Sequence, residues 1–125
     1  MTTAGSIAVG NRWERRALRH LERHGLESID RNFRCRMGEI DLVMQDGDCL
    51  VFVEVRYRKG GRFASAASSI DRYKQRRLAT AASLFLARNA RFRDYRVRFD
   101  VVAFDRTSDS QCTLQWLKDA FRPEH

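Results

Sequence analysis

Two acidic residues, Asp41 and Glu54, stand in neighbouring apolar segments separated by the turn-forming sequence Asp46-Gly47-Asp48. This pattern predicts a β-hairpin, in which the length of the loop decides which side chains share a face of the sheet. If Asp46-Gly47 forms the turn, Asp41 lies one diagonal step from Glu54. If the turn is Gly47-Asp48, or the four residues 46–49, the two acids lie directly opposite each other, with Cβ atoms about 5 Å apart. Every even-numbered loop places both carboxylates on one face, whereas a three-residue loop with a bulge would separate them.

Two carboxylates this close repel each other unless a positive charge lies between them, either a basic side chain or a divalent cation bound by oxygen ligands. Arg56 could supply the basic side chain, because it follows Glu54 by two residues and so lies on the same strand face. The spacing therefore leaves two interpretations open, an ordinary ion pair at the end of a strand and a metal site.

A helix that carries a third acid is predicted before this hairpin. Apolar residues recur at helical spacing from Asn11 to His24, and Gly25 is well placed to end the helix. Five arginines lie on its polar face, whereas Glu14 stands beside the apolar stripe, one turn before Leu18. An acid in that position is unusual.

The other elements complete an α/β pattern. Residues 29–36, 39–44 and 50–58 are predicted as strands, 70–88 as a helix that Ser69 could cap, 96–104 as a further strand, and 112–121 as a short strand or helix. In the second strand, alternation puts Ile40, Leu42 and Met44 on one side and Glu39, Asp41 and Val43 on the other. This order favours a mixed central sheet flanked by helices over a bundle or a barrel.

Length and composition indicate a single domain. With 125 residues, of which 43% are hydrophobic, the chain suits one compact domain over residues 11–125, and we expect residues 1–10 to be disordered. The three cysteines are widely spaced, which argues against a disulfide framework and against a CxxC metal site. There is no run of 18 apolar residues and no secretory signal, so we expect a cytoplasmic protein with no membrane partner.

Several segments together resemble the YraN family of small bacterial proteins. The resemblance covers residues 10 to 104 and is carried by Gly38-Glu39-Ile40-Asp41-Leu42-Val43, Asp46-Gly47-Asp48, Val51-Phe52-Val53-Glu54-Val55-Arg56, Asn32-Phe33-Arg34-Cys35-Arg36 and Arg98-Phe99-Asp100-Val101-Val102. That family is similar in turn to archaeal Holliday-junction resolvases of the PD-(D/E)xK nuclease superfamily. The resemblance implies a restriction-endonuclease-like core.

In such a core an acid on the first helix, an Asp on the second strand and an E-x-K on the third strand surround one or two Mg²⁺ ions. The matching residues in this chain are Glu14, Asp41, Glu54 and Arg56, and the backbone carbonyl of Val55 could be a further ligand. The ion, Mg²⁺ or Mn²⁺, would activate water and neutralise charge on the scissile phosphate.

The chain departs from this motif at Arg56, where the family pattern has Lys. A lysine can lose its proton and help to activate water, whereas an arginine stays protonated and can only orient groups or stabilise charge. Lys74, near the start of the second predicted helix, could replace the missing lysine from a different element, or it could extend into solvent at the helix end.

Basic residues near the expected site are candidate contacts to a nucleic acid. The net charge is +8 and the isoelectric point is about 10.2, which favours a polyanionic partner, although charge also serves solubility. The candidates are Arg58, Lys59, Arg62, Arg72, Arg76 and Arg77. Tyr57, Phe63 and Tyr73 could stack on unpaired bases or lie in the core.

Four other titratable residues have simpler explanations. Glu39 could be an outer metal ligand or a partner of Arg36 or Arg56, and Asp100 fits an ion-pair acid. His20 and His24 have a spacing that can bind zinc, but no Cys or acid completes the site, so we expect surface residues.

Two classes of function follow. The first is a Mg²⁺-dependent endonuclease for structured or branched DNA, possible as a homodimer because a two-fold substrate calls for two sites. The second is a catalytically inactive DNA-binding module or adaptor in repair, recombination or uptake, which Arg56 favours. A purely architectural resemblance with a protein partner is a third alternative.

Overall fold

The computed structural model describes residues 4–59, 70–106 and 111–123, and their side chains from Arg12 onward except that of Lys59. The elements in chain order are α1 (Ala4–Arg23), β1 (Glu27–Cys35), β2 (Gly38–Asp46), β3 (Cys49–Lys59), α2 (Arg72–Arg88), a 3₁₀ turn (Ala90–Phe92), β4 (Arg96–Arg106) and β5 (Cys112–Leu117). The five strands form one sheet in the order β1-β2-β3-β4-β5. Only the β3–β4 pair is parallel. The predicted mixed α/β architecture is confirmed.

Both helices begin at residues other than those that the sequence predicted. Helix α1 begins at Ala4 rather than at Asn11, since Ala4 and Ala8 are good helix formers; residues 1–3 lie outside the described residues. Helix α2 begins at Arg72, because the Asp71 carboxylate accepts a hydrogen bond from the Lys74 backbone N–H at 2.8 Å and caps the helix. The last predicted element, a short strand or helix over residues 112–121, is the strand β5, which ends at Leu117.

Each face of the sheet is covered by one helix. On one face, Trp13, Ala17 and Leu21 of α1 pack on side chains such as Leu42 and Val53. On the other, α2 packs Leu78, Ala81, Ala82 and Phe85 against side chains such as Phe52 and Val101. We call these the α1 face and the α2 face. Burial of one large apolar side chain stabilises the folded state by about 1.5–3 kcal/mol.

The hairpin between β2 and β3 has a two-residue turn. Asp46 pairs with Cys49, so the turn is Gly47-Asp48. Among the turn residues only Gly47 has a positive φ, of 61°, which is the pattern of a type II′ turn with glycine in its first position. The sequence left three loops open, and the structure selects one of the two that place Asp41 opposite Glu54.

The predicted alternation along β2 is interrupted. Leu42 and Met44 lie on the α1 face as expected, but Ile40 joins Val43 in the cluster on the α2 face. The interruption lies beside Asn32 of β1, which falls between the partners of Leu42 and Ile40 and has a φ of 54°. Asparagine tolerates this left-handed conformation better than most residues.

Among the described residues, no helix is both long enough and apolar enough to span a bilayer.

Candidate functional site

A gap opens in the sheet where β2 and β3 separate. Their ladder ends at the pair Leu42 and Val53, while β2 continues beside β1 and β3 continues beside β4. The next residues in register are Asp41 and Glu54. Beyond the last pair, the Val55 backbone N–H donates to Asp41 Oδ2 at 2.8 Å. The gap is therefore bridged by a carboxylate rather than by a main-chain bond.

The backbone of Val55 faces this gap. In an extended strand the N–H and C=O groups of one residue point to the same side, and the Val55 N–H points to Asp41. Its carbonyl oxygen consequently points toward β2 as well, where no main-chain donor of β2 pairs with it. Val55 is the residue that the family resemblance assigned as a carbonyl ligand, and it lies just beyond the end of the β2–β3 ladder.

Glu14 reaches the same gap from helix α1. Its Oε1 atom is buried and, within the described part of the chain, has no hydrogen-bond partner. Burial raises the pKa of this carboxyl group, and hydrogen bonds to Asn32 and Asp41 oppose that increase. A buried oxygen without a donor is costly, so this position calls for a proton or a cation.

Burial and neighbouring charges raise the pKa values of the acids at the gap. Burial, followed by the negative charge of Glu54, raises the pKa of Asp41 to about 8, and Glu14 contributes in the same direction. Burial also raises the pKa of Glu54, against the opposing charges of Lys74 and Arg56. A carboxyl group whose pKa is raised in this way keeps its proton to a higher pH unless a cation balances its charge.

Two cationic side chains contact Glu54, which is only 7% exposed. Lys74 Nζ lies 3.5 Å from Glu54 Oε2, and Arg56 Nη1 lies 3.6 Å from the same oxygen. Lys74 comes from α2 and Arg56 from β3 itself. The ion pair that the spacing allowed for Arg56 is present, and Lys74 points into the site rather than into solvent alone.

These residues fit a hard divalent cation by their donor chemistry. Glu14, Asp41, Glu54 and the Val55 carbonyl supply only oxygen, the ligand atom that Mg²⁺ and Mn²⁺ prefer, and Glu14 Oε1 is an orphaned buried acceptor. Over residues 4–59, 70–106 and 111–123, no group of three or more His, Cys, Asp or Glu side chains is already close enough to hold an ion. Glu54 is instead directed at its two cations.

The other acidic candidates have structural partners. Glu39 pairs with Arg34, its partner across the β1–β2 ladder, at 3.3 Å, and not with Arg36 or Arg56 as the sequence suggested. Asp100 is fully buried and accepts hydrogen bonds from Arg98, from Trp116 Nε1 and from the Asp119 backbone. The prediction that Asp100 is an ion-pair acid is confirmed.

The two histidines of α1 pack against Trp116 of β5. Both rings meet the indole edge-on, with centroids 5.9 Å away for His20 and 5.5 Å away for His24. His24 is exposed, as predicted, whereas His20 is partly buried.

The basic candidates for nucleic-acid contact divide into two groups. Arg58 is half-buried and pairs with Asp105, its neighbour in the parallel β3–β4 register, at 3.0 Å. Arg72 and Arg76 are exposed on α2, and Arg77 donates to the Tyr73 hydroxyl at 3.2 Å. The side chain of Lys59, and all of Arg62, lie outside the described residues. The structure thus gives Arg58 a structural partner and leaves the α2 arginines at the surface.

The aromatic candidates have different surroundings. Tyr57 stacks on Trp13 with ring centroids 4.5 Å apart, and its hydroxyl accepts a hydrogen bond from Arg106. Tyr73 is 62% exposed. Phe63 lies outside the described residues.

Sequence reasoning did not assign Asn32 or Arg34 to this region. Asn32 lowers the pKa of Glu14, and asparagine within a predicted strand is uncommon enough to have marked the position. Arg34 could have been paired with Glu39 from the register of the first hairpin, had its turn been known.

Comparison with known proteins places these residues in a family. Residues 13–104 match the uncharacterised protein family UPF0102, and this stretch contains every site residue described above. A UPF0102 protein of Pseudomonas fluorescens strain Pf-5 is 49% identical over 97% of this chain and 98% of its own length. One from Alkalilimnicola ehrlichii is 50% identical over 94% of this chain and 90% of its own length. The chain belongs to the UPF0102 family, which is the YraN family that the sequence resembles.

Proposed function

We propose that this UPF0102 protein is a cytoplasmic, divalent-metal-dependent endonuclease with a restriction-endonuclease-like core, and that it hydrolyses phosphodiester bonds in structured or branched DNA. One observation carries the proposal: Glu14, Asp41 and Glu54 come from three different elements and converge at the gap between β2 and β3, where burial, followed by the charges of Glu54 and Glu14, raises the pKa of Asp41 to about 8. A purely structural site would gain little from a third acid at the gap, since each added carboxylate increases the repulsion.

Glu14, Asp41, Glu54 and the Val55 carbonyl would hold Mg²⁺ or Mn²⁺. When bound, the ion supplies Lewis acidity toward phosphate oxygens and lowers the pKa of water. The Val55 N–H fixes the Asp41 carboxylate in place, with one oxygen committed to that bond. The protein thereby positions a ligand before any ion arrives, which limits the reorganisation that binding requires.

Lys74 takes the role of the lysine that the motif places after Glu54. Its ammonium group lies 3.5 Å from Glu54 Oε2, beside the position that a scissile phosphate must occupy. An ammonium group can stabilise charge on that phosphate and can exchange a proton with water, whereas the guanidinium of Arg56 can do only the first. Arg56 shares the same carboxylate oxygen and so helps to orient Glu54.

Cleavage of a flapped or branched DNA by the purified protein in Mg²⁺ or Mn²⁺ tests the proposal. Nicking is expected with the wild type and is expected to be lost in Asp41→Ala, which should still bind the DNA. Asp30→Ala, which removes an exposed acid from β1, is the matched control and should cleave normally. Equal cleavage by Asp41→Ala and the wild type would contradict the assignment.

A second candidate, a DNA-binding module without activity, is supported by Arg56. Together with Lys74, its ion pair neutralises Glu54 without a metal. Calorimetry separates the two functions: no heat of Mn²⁺ binding, together with full DNA affinity in EDTA, would identify the binding module.

A further inference from the structure

A cavity of about 320 Å³ lies beside the acidic site, between the β1–β2 hairpin and the N-terminal half of α2. Among the described residues, three cationic side chains line it, Arg34 from β1 and Lys74 and Arg77 from α2, together with one acid, Glu39. Its volume is at the lower end of the range of about 300–1,000 Å³ that is typical of small-molecule pockets. It can therefore admit a group of nucleotide size.

We propose that this cavity binds a phosphate group of a nucleic-acid strand and so anchors the strand next to Glu54. The inference deepens the proposed function, because the anchored strand would be the one that is cleaved; phosphate binding itself can be measured without cleavage.

Hydrogen-bond capacity supports an anionic ligand with several acceptor oxygens. Arg77 donates from Nη1 to the Tyr73 hydroxyl, and a guanidinium carries five N–H donors, so further donors remain. Glu39 holds Arg34 through Nε at 3.3 Å, and the Arg34 side chain is 72% exposed, which leaves its terminal nitrogens accessible. Two guanidinium groups and an ammonium match a phosphate better than a flat carboxylate, because phosphate oxygens point in more than one plane.

The position of the cavity relative to the acids follows from Lys74. The same side chain lines the cavity and lies 3.5 Å from Glu54 Oε2. A phosphate held by Arg34 and Arg77 is then separated from the acidic cluster by one side chain. Glu39 also connects the two regions, because its charge adds to the increase in the pKa of Asp41 while its carboxylate holds Arg34.

The hairpin backbone at Gly38 lies beside α2 where both border this cavity. The φ of Gly38 is 157°, and a Cβ atom built at this position would lie 3.7 Å from both Cβ and the backbone oxygen of Arg77. The hairpin backbone therefore packs directly against the first turns of α2. This contact fixes Arg77 relative to Arg34, so the two guanidinium groups face the same cavity.

The phosphate could belong to an internal phosphodiester or to a strand end. An internal phosphodiester would make binding independent of the chemistry at the strand terminus. A terminal phosphate carries more charge and would make binding depend on it.

Fluorescence anisotropy with flapped DNA in EDTA, over a range of salt concentrations, tests the inference without cleavage. Arg34→Ala and Arg77→Ala are each expected to weaken binding about tenfold and to reduce the salt slope by about one. Arg93→Ala is the matched control, since it removes an exposed arginine beyond the far end of α2, roughly 25 Å from Arg72 by helix length, and should change affinity less than about twofold. Arg77→Gln repeats the test if Arg77→Ala fails to fold.

Each outcome has a defined meaning. Wild-type affinity and salt slope in both Arg34→Ala and Arg77→Ala would overturn the cavity as a phosphate site, whatever the nuclease assay shows. Loss of binding in these variants, together with no cleavage by the wild type, would retain the phosphate site and reject the nuclease. Comparison of 5′-phosphorylated with unphosphorylated DNA distinguishes the sources, because only a terminal site distinguishes these two DNAs.

Discussion

The backbone N–H of Val55 donates a hydrogen bond to the carboxylate of Asp41 at 2.8 Å, at the point where β2 and β3 stop pairing. A side chain here takes the place of a main-chain acceptor. The Val55 N–H keeps a hydrogen-bond acceptor although the two strands separate here. The same bond holds one oxygen of Asp41 at the edge of the gap.

Asp41→Asn should weaken Mn²⁺ binding by at least about tenfold, because it removes a negative ligand but retains an oxygen that can accept the Val55 N–H. Isothermal titration calorimetry would measure the change. Asp30→Asn, an exposed acid on β1, should bind Mn²⁺ as the wild type does. Unchanged affinity in Asp41→Asn would remove this carboxylate from the ligand set.

The stability of the metal-free protein should fall as the pH rises. Burial and neighbouring acids raise the pKa of Asp41 from 3.8 to about 8, so the folded state favours the protonated carboxyl. This contribution is fully present below about pH 4, where the carboxyl is protonated in both states, and is lost as the pH rises to about 8. Thermal unfolding in EDTA between pH 5 and pH 9 should show a declining melting temperature.

Asp41→Asn provides the comparison for that titration, because an amide does not ionise. Its melting temperature should decline less than that of the wild type over the same range. Parallel curves would show that Asp41 does not titrate in this window. Mg²⁺ at pH 8 should raise the melting temperature of the wild type more than that of Asp41→Asn, since an ion that binds only the folded state stabilises it.

Lys74→Ala should reduce the single-turnover rate of DNA cleavage by about 10² or more, the usual contribution of a group that transfers protons. Arg56→Ala should reduce the rate less, because Lys74 still contacts Glu54. Lys118→Ala is the matched lysine control: its ammonium lies over Trp116 on β5, and its rate should be unchanged. An Arg56→Ala rate lower than that of Lys74→Ala would reverse the two roles.

Asp100→Asn should destabilise the domain by about 3–5 kcal/mol, because it leaves the Arg98 guanidinium without its buried carboxylate partner. Urea unfolding would measure this loss. Asp48→Asn is the exposed counterpart: its pair with Arg96 has both side chains more than three-quarters exposed, and its loss should cost less than about 1 kcal/mol. A similar loss in the free energy of unfolding for both variants would show that the burial of Asp100 adds little to the stability that its ion pair provides.

The central hairpin could be predicted closely from the sequence. Strand alternation and the turn residues restricted Asp41 to a position opposite or diagonal to Glu54, and the Gly47-Asp48 turn selected the first. This succeeded because a hairpin is local: its register depends on a few adjacent residues.

Contacts between distant segments could not be predicted in the same way. The pairing of Arg58 with Asp105 depends on the parallel β3–β4 register, and the contact of Lys74 with Glu54 depends on where α2 lies across the sheet. The switch of Ile40 to the α2 face lies beside the left-handed Asn32 of a neighbouring strand. Each is set by tertiary packing, which overrides the alternation of the single strand.

Glu14 reaches the gap from the helix on one face of the sheet, and Lys74 reaches it from the helix on the other. The complete set of side chains therefore exists only while both helices are docked, and transient undocking of either one dismantles it while the strands remain paired. The fraction of molecules with a complete site is therefore limited mainly by whichever helix undocks more readily. A ligand that contacts both side chains suppresses both openings at once, and so couples the two helices energetically although the sheet lies between them.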